Sequence, residues 1–384
     1  MTVETSTDMV GSAANVQDSN SVLDTIVIGA GQAGLSAAHH LLRKGLKPFE
    51  DFVVLDSNDG PGGAWRHRWD TLTFDRAHGL HPLPGMALDT PDPKEPASAV
   101  VARYYGSYED HFDVPVIRPF KARKVTGSIE DGFTVTATDG RTLTARTLIN
   151  ATGTWNKPHW PSYPGQRDFT GRQLHTRDFV APEEFLGRRV LVVGGGTSAA
   201  QFLLQLADLG IDTLWSTRRE PQWRTAPKDK SWGIGVEAEV NDRTHSGLPP
   251  RSVVSVTGLP LTDFYTAGIE SGVLVSRGGI AGFGERSVRF ADGSEEEIDI
   301  VLWATGFRAS LDHLAPLGIR EPGGGILMDD DSVSVVKVPG MFLVGYGASA
   351  STIGATRAGR AAAVGAARLL AEPNLAERRP VAAR

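Results

Sequence analysis

Apolar residues in this chain gather into short β-branched runs, each followed by a glycine-rich turn and then an alanine- and leucine-rich stretch. The first run, Thr25–Ile28, leads through GAGQAG into LSAAHHLLRKGL and on to FVVLDS. A second copy begins at Val190, with VLVV, then GGGTSA, then AQFLLQLADLG, and closes in TLWSTRR. A strand, a tight turn, a helix and a parallel strand make a βαβ unit with a right-handed crossover. Gly29 and Gly194 stand 165 positions apart, so the pattern predicts two nucleotide-binding domains rather than one.

Between and after these units lie FTVTATDGRTLTARTLINATG (133–153) and SVRFADGSEEEIDIVLWATGF (287–307). Each sets a DG turn between alternating apolar positions, which predicts a hairpin. Each then runs into an apolar strand and the tripeptide ATG, and this repetition supports a duplicated architecture. Near the end, GMFLVGYGASASTIGATRAGRAAAVGAARLL predicts one strand and a long small-residue helix starting within Ser349–Thr352.

The glycine turns carry the chemistry. In GAGQAG, Gly29 permits the tight turn, Gly31 lets the backbone approach a pyrophosphate, and Gly34 allows close helix–strand packing. The helix N-terminus supplies N–H donors and partial positive charge. Asp56 closes the next strand 22 residues after Gly34, where a carboxylate accepts from ribose hydroxyls. GGGTSA repeats this grammar with Gly194, Gly196 and Ala199, but Arg218 and Arg219 hold the place of the acid. Guanidinium groups there suit a ribose 2′-phosphate, which favours NADPH over NADH.

Composition narrows the choices. The 384 residues are 40% hydrophobic and 22% charged, with room for two or so domains. A net charge of −6 provides no basic field for nucleic acid or an anionic membrane. With no cysteine, the chain has no dithiol couple, thiolate metal site or cysteine nucleophile. The ten histidines show no metal-binding spacing, so no metal is expected, and Ser198 is not in a GxSxG elbow. Residues 1–20 read as a disordered polar tail, not a signal peptide, and 371–384 as a second tail. No apolar run reaches the roughly 20 residues of a membrane helix, so a cytoplasmic protein is expected. His78–Pro96 and Trp223–Pro250 read as long loops beside the cleft between domains.

FTGRQLHTRDF (169–179), just upstream of the second unit in the linker between domains, resembles the fingerprint of class B flavoprotein monooxygenases. These are the flavin-containing and indole-pyruvate monooxygenases, and the fingerprint is carried here by Phe169, Gly171, His175 and Phe179. The ordered set GAGQAG, GGAWRHRWDTL (62–72), ATG (151–153), GGGTSA and ATGF (304–307) extends the resemblance over nearly the whole chain. Phe179 is followed by Val180, not by the Trp-Pro or Trp-Asp of Baeyer–Villiger relatives. GYGASA lacks the aspartate that disulfide reductases of related fold place on the ribityl chain.

The resemblance implies an α/β fold of two Rossmann-like, three-layer dinucleotide-binding domains, with the NADPH domain inserted in the FAD domain. FAD is assigned to residues 21–160 plus 300–370 and NADPH to 165–300. It implies FAD contacts from Gly29, Gly31, Gln32, Ala33, Gly34, Asp56, Gly63, Trp65, Val125, Ser351 and Thr352. It implies NADPH contacts from Gly194, Gly196, Thr197, Ser198, Ala199, Arg218 and Arg219. His175 is assigned to coupling and positioning. The two ATG segments are read as crossings that pack against the neighbouring nucleotide domain or the flavin. The implied reaction inserts one atom of O2 into a small organic substrate by way of a C4a-(hydro)peroxyflavin. The alternative left open is an NAD(P)H-dependent flavin oxidase or reductase that releases H2O2. A homodimer is compatible with either.

Overall fold

The computed structural model describes residues 22–77, 80–225, 240–250 and 258–372. The tail expected at 1–20, all but two residues of the tail at 371–384, and much of the loop 223–250 lie outside the described residues.

The first βαβ unit folds as the sequence predicts. Strand β1 (Leu23–Ile28) leads through the glycine turn into α1 (Gln32–Arg43) and then β2 (Phe52–Leu55). The chain continues through α2 (Ala97–His111) and β3 (Val116–Ile117) to a hairpin of β4 (Ala122–Ser128) and β5 (Gly132–Ala137), then β6 (Thr142–Asn150). The sheet order is β3-β2-β1-β6-β5-β4. β1 is parallel to β2 and β6, with Ile28 level with Leu55 and Asn150, whereas β5 runs antiparallel along the start of β6.

Alternation on β1 sends Ile26 and Ile28 to one core and Val27 to the other, so both faces of the sheet are covered. On the Val27 side α1 carries Leu35, Ala37, Ala38 and Leu41 into the core. The small-residue helix α4 (Thr352–Leu370) packs beside it, so close that a Cβ on Gly359 would stand 2.4 Å from the Ala33 carbonyl oxygen.

The second unit forms its own parallel sheet from β7 (Arg172–His175), β8 (Arg189–Val193), α3 (Thr197–Ala207) and β9 (Asp212–Ser216). An antiparallel three-stranded sheet, β10 (Ile280–Phe283), β11 (Ser287–Phe290) and β12 (Glu295–Glu297), precedes β13 (Ile300–Trp303). The main order is β7-β13-β8-β9. Val190 and Val192 face α3 and its buried Phe202, and Leu191 and Val193 face Phe283 and Phe290. The chain then returns to the first sheet, where β14 (Met341–Leu343) pairs with the end of β6. The second Rossmann-like domain is therefore inserted in the first.

The fingerprint segment is not a free linker. Arg172–His175 is an edge strand in register with Ile300–Trp303, because its alternating side chains seat Leu174 in the core beneath α3. The two chain crossings between the sheets pair with each other. Pro158 and Phe307 form an antiparallel bridge, His159 N donates to Gly306 O at 2.9 Å, and Arg308 N donates to Lys157 O at 2.8 Å.

Candidate cofactor sites and the cleft between them

Both glycine turns are locked from behind by a neighbouring strand end. Gly29 has φ +107°, and a Cβ there would sit 2.4 Å from the Ala151 carbonyl oxygen. Gly194 has φ +141°, and a Cβ would sit 2.2 Å from the Ala304 carbonyl oxygen. The two ATG tripeptides thus pack against the glycine turns of their own sheets, a partner that the reading of them as crossings against the neighbouring domain or the flavin did not include. Gly34 meets the carbonyl of Gly29 so closely that no side chain fits, and Ala199 at the matching place is fully buried.

The middle glycines are different. A Cβ on Gly31 or on Gly196 would meet nothing within 4 Å. Each of these residues is the N-cap of its helix, and neither cap has a side-chain hydrogen bond. The first-turn N–H groups of α1 and α3 therefore face outward, as an anion-binding helix start requires. Thr197 and Ser198 form the first turn of α3 and are half-buried. Gly63 lies against the first turn, with a Cβ there falling 2.8 Å from Gly31 Cα. Both cradles fit the phosphates of a dinucleotide.

The ends of the second strands differ in charge. Asp56 is buried; one carboxylate oxygen accepts from Ala30 N at 3.2 Å and the other from Asn58 N at 2.9 Å. Arg118 reaches the same carboxylate at 3.6 Å and forms a two-pronged pair with Glu109 at 2.5 and 2.7 Å. Burial pushes the Glu109 carboxyl up from its ordinary range, against the pull of Arg118. Sequence reading missed this support, since no local signal ties positions 109 and 118 to position 56. Arg218 and Arg219 are exposed beyond β9, without an ion pair to a described residue. The charge of Arg218 reaches His159 on the crossing.

His175 is fully buried at the end of β7. Its Nε2 donates to Gly306 O at 3.0 Å, and its Nδ1 accepts from Arg177 N at 3.2 Å. These partners require the neutral ring with hydrogen on Nε2. Burial also lowers its pKa. The ring meets Phe307 edge-on at 4.9 Å, and Phe307 stacks on Trp155 at 5.0 Å. Phe169 and Phe179 are core residues on opposite faces of the second sheet. Gly171 is needed because a Cβ would collide with Asp299 O and the Phe169 ring, both at 2.4 Å.

Remaining positions are mixed. Trp65 is half-buried beside the first turn. Gln32 Nε2 donates to Thr356 Oγ1 at 3.0 Å, tying α1 to α4, and Ala33 is buried. Ser351 caps α4 by accepting from Gly354 N at 3.1 Å, and Thr352 is the first residue of that helix. Val125 is fully buried in the hairpin opposite Val135, with no exposed surface.

Two phosphate cradles on two parallel βαβ units, one ended by an acid and one by arginines, define a flavoprotein oxidoreductase that uses FAD and NADP(H). Residues 26–247 match the pyridine nucleotide-disulphide oxidoreductase family, and the chain belongs to it. The chain is similar to a flavin monooxygenase from Stenotrophomonas maltophilia, with 34% identity and a TM-score of 0.78 over 91% of this chain and 99% of the other. It is 26% identical to the indole-3-pyruvate monooxygenase YUCCA1 of Oryza sativa subsp. japonica, over 84% of this chain and 86% of the relative. The same identity and share of this chain relate it to an uncharacterized oxidoreductase, CzcO, of Bacillus velezensis, 91% of which is covered. The protein is thus an enzyme of the flavin monooxygenase group. Its lack of cysteine sets it apart from the dithiol chemistry in the family's name.

Proposed function

We propose that the protein is an NADPH-consuming monooxygenase that inserts one oxygen atom of O2 into a small organic substrate. The observation that carries this reading is the pair of open cradles at Gly31 and Gly196, one ended by Asp56 and the other by Arg218 and Arg219. Residues 21–160 and 300–370 would hold FAD, and 165–300 would hold NADPH. The FAD held there would supply the redox chemistry, accepting hydride from NADPH and activating O2, with one oxygen atom going to the substrate and the other to water.

The chain's own contribution is placement. Gly31 and the first turn of α1 hold the FAD pyrophosphate, and Asp56 accepts from its ribose while Arg118 and Glu109 fix the carboxylate. Gly63 and Trp65 would lie beside the flavin, and the start of α4 would offer it the positive end of a helix. Gly196, Thr197 and Ser198 take the NADPH pyrophosphate, and the two arginines take the 2′-phosphate. His175 holds the crossing at Gly306, between the two sites. The acidic, thiol-free chain suits a cytoplasmic NADPH pool; among the described residues no helix is long and apolar enough to cross a membrane.

The test is stoichiometric. FAD-loaded protein turning over NADPH in air with a panel of thioethers and amines should give one oxygenated product per NADPH with at least one of them. Quantitative release of H2O2 with every compound would instead assign the oxidase alternative.

A further inference from the structure

Arg68 is a cation in an aromatic cage, without an anion among the described residues. Its guanidinium carbon lies 4.5 Å from the centre of the Trp155 ring, 5.7 Å from Trp65 and 5.9 Å from Trp69. No described residue forms an ion pair or hydrogen bond with the guanidinium, and its Nε is buried without a partner. Burial lowers the pKa to about 10, so the group keeps its charge at neutral pH. Tryptophan faces attract a guanidinium but leave its N–H donors unused. A desolvated guanidinium with free donors matches a planar, two-oxygen anion.

The cage has a definite address. It links the segment that Gly63 anchors on Gly31 to Trp155 on the crossing, whose ring stacks on Phe307. That is the region between the flavin cradle and His175. Nucleotide phosphates already have the glycine turns and Arg218 with Arg219, and the Trp155 ring is itself buried between Arg68 and Phe307, so what this place leaves unmet is the charge of the guanidinium. We propose that Arg68 binds the carboxylate of an anionic organic substrate. The inference rests on the monooxygenase reading for the identity of the ligand as substrate.

The probes are 4-(methylthio)benzoate and its neutral amide, which differ in charge at one end and share the oxidisable sulfur. Oxygenation of either takes thioether, O2, NADPH and a proton to sulfoxide, water and NADP+. Binding to FAD-loaded protein is followed by tryptophan fluorescence and calorimetry, and turnover by sulfoxide formation. The protein should bind the benzoate roughly 10-fold or more tighter than the amide, the scale of a hydrogen bond to a charged group. R68Q should erase that preference with the amide constant unchanged, and R68K should retain part of it. Equal binding of both probes by the unaltered protein would overturn the proposal. So would an R68Q variant that weakens both alike, or one that weakens NADP+ more than the benzoate. A binding preference that vanishes in R68Q while NADPH turnover releases H2O2 quantitatively with every thioether and amine would uphold the arginine's role and sink the oxygenase reading instead.

Discussion

Replacing His175 separates holding from proton transfer. His175→Ala removes two hydrogen bonds, to Gly306 O and from Arg177 N, and a fully buried ring. Each bond is worth about 1 kcal/mol, and the lost packing about 2 kcal/mol more, so the loss is about 4 kcal/mol. For a chain of 384 residues this lowers the melting temperature by about 5 °C. His175→Gln keeps a donor within reach of Gly306 O and should recover about half of that loss. The pH dependence has a definite sign. Because the folded-state pKa is lowered, the neutral ring is the native form; its contribution is complete above pH ~6.5 and is lost as pH falls below that. With the ring neutral above pH ~6.5, His175 produces no limb in the rate there. Calorimetric melts and kcat and KM for NADPH from pH 5.5 to 9 test this on both variants. The glutamine variant should keep kcat within a few-fold and leave the shape of the profile intact. A kcat loss on the order of 100-fold, together with the disappearance of a pH limb, would refute the argument and make His175 an acid–base catalyst.

Gly31→Ala should melt like the unaltered apoprotein, since its methyl meets nothing, yet bind FAD at least about 10-fold more weakly by equilibrium titration. Gly29→Ala should fail to fold stably, because its methyl meets the Ala151 carbonyl at 2.4 Å with φ at +107°. Arg218→Ala with Arg219→Ala should raise the KM for NADPH on the order of 100-fold while leaving NADH nearly unchanged in steady-state assays. Buried His313 donates from Nε2 to Asn150 Oδ1 at 2.7 Å, and burial pushes its pKa down to about 4 from an ordinary 6.5. Its stabilising contribution is present above pH 6.5 and falls by about 1.4 kcal/mol per unit below it. Denaturant unfolding of His313→Gln should therefore lose about 2 kcal/mol less between pH 6.5 and 5 than the unaltered protein.

The glycine turns, their strands and helices, and the opposed charges at Asp56 and Arg218 were legible because each is local, a spacing within some thirty residues of chain. The DG hairpins were legible for the same reason. What escaped came from pairings between distant positions. Arg172–His175 reads as connecting chain until β13, more than 120 positions later, supplies the partner that makes it a strand. Likewise, the arginine behind Asp56 comes from the strand beyond it, and the three rings around Arg68 include one from the crossing at 155. No periodicity announces such meetings, because packing alone selects them.

The bonded crossings have a mechanical consequence. The insertion is attached at two places, and those two strands are zipped into one ribbon at Lys157–His159 and Gly306–Arg308. A ribbon bends readily across its thin direction and resists shear along its length. A swing of the inserted half would turn about this ribbon, and it would also have to part Trp69 from Phe179 and Phe202 and break the Gln205–Thr71 hydrogen bond. The nicotinamide end of the second cradle would then travel toward the flavin with Phe307 and its stacked tryptophan at the pivot.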